Sequence, residues 1–235
     1  MIRQNEIYNN RKSTPQEVYD SYNNLVFSND TKVIQKMLVK NNLYNEVKHL
    51  NGDIFEFGVF KGASLALWLQ LIKLHEPNSL TSVIGFDFFD KDELIDSLDG
   101  DDKKLMSNVV NRANNKDDLS MQSILEKCNN ILPERTKLIK GNVCETCSKF
   151  SEENKGVRIK LLYLDMDLDE PTYIALKTLW EKIVIGGIIV LDEYGFHKWT
   201  ESNGVDRFLK TVQNKYVLHN TNILTPTMII KKISF

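Results

Sequence analysis

From Gly52 onward the chain alternates short apolar runs with helical stretches, and few architectures accommodate that alternation. The runs fall at 53–58, 82–87, 136–140, 159–165, 185–192, 216–219 and 227–231, with helices fitting between them, notably at 64–75 and 171–182. Strands joined through helices must run parallel, because a return to the same end of a sheet needs a long crossover. The last two runs lie too close together for a helix, so they are expected to pair as an antiparallel hairpin. Gly186-Gly187 reads as the turn into the fifth strand, since glycine reaches backbone angles that other residues avoid. Five β/α units closed by a hairpin differ from the standard dinucleotide fold.

A length of 235 residues suits one α/β domain with an appended segment. The expected division is an N-terminal helical segment over 1–50 and the α/β domain over 51–235. Ser13-Thr14-Pro15-Gln16-Glu17 offers a helix cap with proline in the first turn, and residues 14–48 read as helical, with a loose stripe of Val33, Met37, Leu38 and Leu43. Tyr- and Asn-rich stretches near Tyr8 and at Tyr19 to Tyr22 suit either subunit pairing, giving a homo-oligomer, or folding over a pocket. The connection 89–135 is unusually long and is expected to be a lid. Its acidic run, 96–102, lacks the alternating ligands and closing glutamate of a calcium loop and reads as solvated.

Composition narrows the function. An apolar fraction of 42% supports a sizeable core, and a net charge of −2 argues against binding nucleic acid by phosphate neutralisation. No run of about 18 apolar residues is present, so no membrane span is expected. The polar N-terminus lacks the apolar core of a secretory signal, which points to the cytoplasm. Cys128, Cys144 and Cys147 form no disulfide framework, and the C-x-x-C pair has no second ligand pair to complete a zinc site.

The most informative stretch is Asp53-Ile-Phe-Glu56-Phe57-Gly58-Val-Phe-Lys61-Gly62-Ala-Ser64, a strand entering a glycine turn and then a helix. A pyrophosphate-binding turn needs a second glycine for close approach, and here that position is Phe60. A cofactor without pyrophosphate is therefore expected, and Glu56 suits one carrying an amine and a sulfonium. Asp87, ending the second strand, can accept hydrogen bonds from a ribose diol. Asn142, after Gly141, can read an adenine edge.

Carboxylates also gather after the fourth and fifth strands, in Leu164-Asp165-Met-Asp167-Leu-Asp169-Glu170 and Leu191-Asp192-Glu193-Tyr194. Helix capping accounts for Asp169 and Glu170. It does not account for Asp165, Asp192 and Glu193, which end apolar strands and repel one another unless a cation joins them. An all-oxygen set favours Mg2+ or another hard divalent ion over zinc. Asp167, or alternatively His197, is then the candidate base that deprotonates a hydroxyl.

With these residues assembled, the chain resembles the macrocin O-methyltransferase family, from about Gly52 to the C-terminus. The likeness rests on Glu56 to Ser64, Gly85-Phe-Asp87, Leu164 to Thr172, Gly186 to Tyr194 and Gly204-Val-Asp-Arg-Phe208. It implies a Rossmann-like class I methyltransferase with a mostly parallel seven-stranded sheet, acting with S-adenosylmethionine and Mg2+ on a sugar hydroxyl of a small molecule. By motif position, Glu56, Phe57, Gly58, Lys61, Gly62 and Ser64 would meet the cofactor, together with Asp87, Gly141, Asn142 and Asp165. Asp165, Asp192 and Glu193 would be the metal ligands, and Asp167 the base. The family commonly has two aspartates where this chain has Asp192-Glu193, and Gly-Asp where it has Gly141-Asn142. A catechol or other diol as acceptor, an NAD-dependent oxidoreductase and a non-catalytic binding protein are the alternative readings.

Overall fold

The computed structural model describes residues 14–111 and 119–235. Five parallel strands are β1 (Asp53–Phe57), β2 (Val83–Asp87), β3 (Thr136–Lys140), β4 (Ile159–Leu164) and β5 (Ile183–Leu191). They join an antiparallel pair, β6 (Tyr216–Asn220) and β7 (Met228–Lys232), in one sheet ordered β3-β2-β1-β4-β5-β7-β6. The chain runs outward from β1 to β3 and then resumes on the other side of β1 at β4. That reversal opens a crevice beyond the carboxyl ends of β1 and β4, where open α/β sheets bind ligands.

Because side chains alternate along a strand, each face of the sheet builds its own core. Phe55, Phe57, Ile84 and Phe86 face α7 (Val143–Glu153), α8 (Asp169–Leu179) and α9 (Glu201–Leu209). Ile54, Val83, Leu161 and Tyr163 face the other way, against α3 (Ala63–His75) and α6 (Met121–Ile131). Phe57 and Phe86 stack at 4.4 Å on neighbouring strands, which locks β1 to β2 just below the crevice.

Three expectations are corrected. Residues 14–48 form two helices, α1 (Pro15–Val26) and α2 (Lys32–Val47). Thr14 and Glu17 make a capping box at the start of α1. Between the helices, Ser28 Oγ accepts from the Asp30 N–H and Asp30 Oδ1 from the Lys32 N–H, side-chain bonds that compete with helical backbone pairing. α1 buries no residue, whereas α2 buries Lys40, Leu43, Tyr44 and Val47 against the domain. The stretch around Tyr8 lies outside the described residues.

Gly186 and Gly187 sit inside β5 rather than at its entry. The β4–β5 register jumps from Ile159–Ile183 to Leu161–Ile188, so the extra residues of β5 bulge, and Gly186 takes φ +84° there. The acidic run 96–102 is solvent-facing as expected, but is not a continuous loop. It ends α4 (Lys91–Asp96) and begins α5 (Gly100–Val110), where Asp101 and Asp102 favour the helix N-terminus. Among the described residues, no helix is long and apolar enough to cross a membrane.

Candidate active site

A cavity of about 490 Å³ opens at the carboxyl ends of β1, β2, β4 and β5. That volume suits a cofactor-sized ligand with part of a second molecule. Leu94, Met106, Val110 and Leu119, from the 89–135 insertion, wall one side, and Asp165, Asp167, Asp192 and Glu193 the other.

The turn after β1 is shaped for close backbone approach. Gly58 adopts φ +86°, its N–H donates to the Phe86 carbonyl at 3.0 Å, and the Asp165 N–H donates to the Phe57 carbonyl at 2.9 Å. Gly62, at φ +78°, caps α3, and a Cβ there would lie 2.9 Å from Ile124 Cγ2. Phe60 lies between them at φ +50°, lining the cavity where a dinucleotide turn would have its second glycine. Asp87 accepts from the Phe60 N–H at 2.9 Å and the Phe89 N–H at 3.0 Å, so one carboxylate fixes two turns. Burial raises its carboxyl, and these backbone donors oppose the rise. Phe60, Phe89 and Asp167 all have positive φ, so three strained residues surround one cavity.

Of the residues read as cofactor contacts, Gly58, Asp87, Asn142 and Asp165 line the cavity. Asn142 also caps α7, its side-chain oxygen accepting from the Cys144 N–H at 2.9 Å. Phe57 ends β1 beneath the lining, and Lys61, Gly62 and Gly141 lie in the surrounding turns. Glu56 is fully buried below, where its Oε2 accepts from Ser64 Oγ at 2.7 Å and Trp68 Nε1 at 2.8 Å. The cation beside Glu56 belongs to the protein: Lys40 Nζ bonds Ser64 Oγ and lies 4.0 Å from the Tyr163 ring centre. A lysine four residues before a helical tyrosine gives no sequence cue to that role.

The acidic wall is strongly coupled. Burial, then Asp192 and Asp167, push the Asp165 carboxyl well above the carboxylate range, while Lys36 and Lys40 oppose the rise. Burial with the same two aspartates pushes Glu193 up to about 7. Glu201, at the start of α9, was not foreseen. It is fully buried, its two carboxyl oxygens lack hydrogen bonds, and burial beside Asp167 and Asp192 raises its pKa. His197 is exposed against Phe196 and does not line the cavity, which leaves Asp167 as the better-placed base candidate.

The donor set suits a hard cation in chemistry but not in arrangement. Among the described residues, no three His, Cys, Asp or Glu side chains are gathered to hold a metal. Asp192 is already engaged on both oxygens. Tyr163 Oη donates to Oδ1, while Thr225 Oγ1 and Lys36 Nζ donate to Oδ2, the lysine at 3.3 Å. Lys36, from α2, therefore stands in the acidic wall.

The reversed parallel sheet, its terminal hairpin and the cavity at the β1/β4 reversal define a Rossmann-like class I methyltransferase. The chain belongs to the methyltransferase-domain family, whose model matches residues 55–194. It is 23% identical to demethyldecarbamoylnovobiocin O-methyltransferase of Streptomyces niveus over 145 residues, 61% of this chain and 53% of that one. The chain thus spans about half the length of that curated relative.

Solved structures share the fold. The apo structure of CalS11, described as a TDP-rhamnose 3'-O-methyltransferase, gives a TM-score of 0.66 at 24% identity, covering 93% of this chain and 87% of that one. The O-methyltransferase NovP gives 0.67 at 18% identity, covering 86% and 81%.

Proposed function

We propose that this chain transfers a methyl group from S-adenosylmethionine to a hydroxyl of a sugar or glycosylated small molecule. One observation carries the reading: a single cavity at the strand reversal joins Asp87 at the end of β2 to the carboxylate wall after β4 and β5. In it, Asp87 would accept the ribose hydroxyls and Asn142 would meet the adenine. Gly58 would let the methionine portion pass close to the backbone. The acceptor would lie against Asp167 and Glu193.

The reaction needs little from the protein beyond alignment and removal of one proton. The acceptor O–H gives its proton to the Asp167 carboxylate. An oxygen lone pair attacks the methyl carbon, and the C–S bonding pair returns to sulfur, leaving S-adenosylhomocysteine. The 89–135 insertion would exclude water from this step as a lid. A sugar acceptor is favoured by the likeness to CalS11, a TDP-rhamnose 3'-O-methyltransferase, and by the residues that resemble the macrocin group. Mg2+ would suit the oxygen chemistry of Asp165, Asp192 and Glu193, but it would compete with Tyr163, Thr225 and Lys36 for Asp192.

The test is mass-spectrometric detection of methyl transfer across sugar nucleotides, glycosides and small catechols, with wild type and Asp167→Asn. Methylation of a sugar, lost in the variant while S-adenosylmethionine still binds, supports the reading. Methylation of catechols alone overturns the sugar assignment, and calorimetric binding of NAD without S-adenosylmethionine overturns the whole.

A further inference from the structure

α2 brings two lysines to the acidic site on one helical face. Lys36 and Lys40 are four residues apart, and Leu43, Tyr44 and Val47 continue the same side into the core. Lys40 is 3% exposed and held by Ser64 Oγ and the rings of Tyr163 and Trp68, so the helix has little freedom to rotate or slide. One turn earlier, Lys36 is carried into the cavity lining, its ammonium 3.3 Å from Asp192 Oδ2.

The surroundings of Lys36 are those of a cation site. Asp165 and Asp192 end adjacent strands, with Glu193 next in sequence, and all three act electrostatically on the lysine. Tyr163 holds Oδ1 of Asp192 and Thr225 holds Oδ2, the same oxygen that meets the ammonium. A divalent ion seated among these carboxylates would have to displace the Lys36 ammonium from Asp192.

We propose that the Lys36 ammonium supplies the positive charge of the acceptor site, in place of a divalent metal. It donates a hydrogen bond to the acceptor hydroxyl oxygen and holds it beside the methyl donor. The ammonium keeps its three protons throughout. The hydroxyl proton goes to Asp167, as above, and the charge of Lys36 stabilises the oxygen as that proton leaves. The inference rests on the methyltransferase reading for its chemistry, but its electrostatic half can be tested without turnover.

The experiment titrates MgCl2 into the full chain by calorimetry, comparing wild type, Lys36→Met and Lys36→Arg, with S-adenosylmethionine binding as the control for folding. Wild type and Lys36→Arg should show no saturable Mg2+ binding. Lys36→Met, which removes the ammonium nearest the carboxylates, should show saturable Mg2+ binding, roughly tenfold or more tighter than any wild-type signal. Saturable binding to wild type that is no tighter in Lys36→Met overturns the proposal.

On a methylated acceptor, wild-type turnover should be the same in EDTA and in Mg2+. In EDTA, Lys36→Met should lose about 100-fold in kcat with cofactor affinity retained, and Lys36→Arg should recover much of it. Turnover abolished by EDTA and restored by Mg2+, or unchanged in Lys36→Met, overturns the lysine role. If no acceptor is methylated, the functional reading fails, and the Mg2+ titration alone still decides whether Lys36 occupies the cation site.

Discussion

The backbone of Gly58 passes so near Asp165 that a Cβ on Gly58 would lie 1.8 Å from the Asp165 carbonyl oxygen. The contact joins the turn after β1 to the end of β4, the two segments that flank the strand reversal. Since Gly58 also holds φ +86°, its replacement meets both a steric and a torsional barrier.

Gly58→Ala should therefore damage the fold and the site together. The left-handed conformation alone costs about 1 to 2 kcal/mol for an L-residue, and the clash adds a backbone shift. We expect a loss of roughly 3 kcal/mol or more in urea unfolding, at the high end for a point change. Calorimetric binding of S-adenosylmethionine should weaken in any folded fraction. A stable variant with intact binding would show that the turn relaxes freely, contrary to the geometry.

Variants of Asp87 separate the proposed ribose recognition from turn geometry. Asp87→Asn keeps one oxygen to accept a backbone N–H but loses the charge and one acceptor. It should bind S-adenosylmethionine about tenfold more weakly, or about 1.4 kcal/mol, with a small change in thermal midpoint. Asp87→Ala removes acceptors from the Phe60 and Phe89 N–H groups together and should lose both affinity and stability. Equal cofactor affinity in all three proteins would remove Asp87 from the binding site.

The extent to which the sequence disclosed this molecule follows the range of each interaction. The strands, the terminal hairpin and the glycine turn were legible because they depend on local periodicity and on backbone angles within a few residues. The acidic wall was legible because Asp165 and Asp192 end adjacent strands. The position of Lys36 was not: it reaches Asp192 across 156 residues, through a helix whose docking depends on Leu43, Tyr44 and Val47. Glu56 has partners the sequence did not disclose. Its motif position points to a ligand, whereas Ser64 and Trp68 hold its Oε2 and Lys40 acts on it electrostatically, leaving Oε1 buried without a hydrogen bond. The glycine pair at 186–187 was read as a turn because a bulge within a strand has the same local signature.

A second buried network makes stability depend on pH away from the active site. Lys160 on β4 is fully buried, and its ammonium donates to Glu76 Oε1 at 2.5 Å and to Thr81 Oγ1 at 3.0 Å. Burial raises the Glu76 carboxyl, but hydrogen bonds from Lys160 and Tyr44 outweigh it and hold the group below its ordinary 4.5. A carboxyl lowered in the fold contributes its full stability above the unfolded value, and loses it as pH falls through the folded value. Glu76→Gln leaves Lys160 charged and buried without its hydrogen-bonded counter-ion, so unfolding at pH 7 should cost about 3 kcal/mol less than in wild type. The stability curve of the variant should also fall less steeply below pH 4.5. Parallel acid limbs in the two proteins would remove Glu76 from that role.

Lys40 and Glu56 offer the sharpest test of coupling between α2 and the glycine turn. Both are buried, and Ser64 Oγ links them, bonded to Lys40 Nζ and donating to Glu56 Oε2 at 2.7 Å. Burial lowers the Lys40 ammonium, and Glu56 opposes that shift; burial raises the Glu56 carboxyl, and Lys40 opposes that one. Each charge thus eases the burial of the other, with Asp165 and Asp192 also favouring the Lys40 ammonium. Lys40→Met should strand a carboxylate and Glu56→Gln an ammonium, each costing about 3 kcal/mol in urea unfolding. The double variant has neither stranded charge, so its loss should fall short of the sum by about 2 kcal/mol, within the range for residues in one network. Losses that simply add would show the two charges to be held independently. The same cycle read by S-adenosylmethionine affinity should show weakening in both single variants and partial recovery in the double, because α2 and the turn after β1 are anchored through one shared hydroxyl.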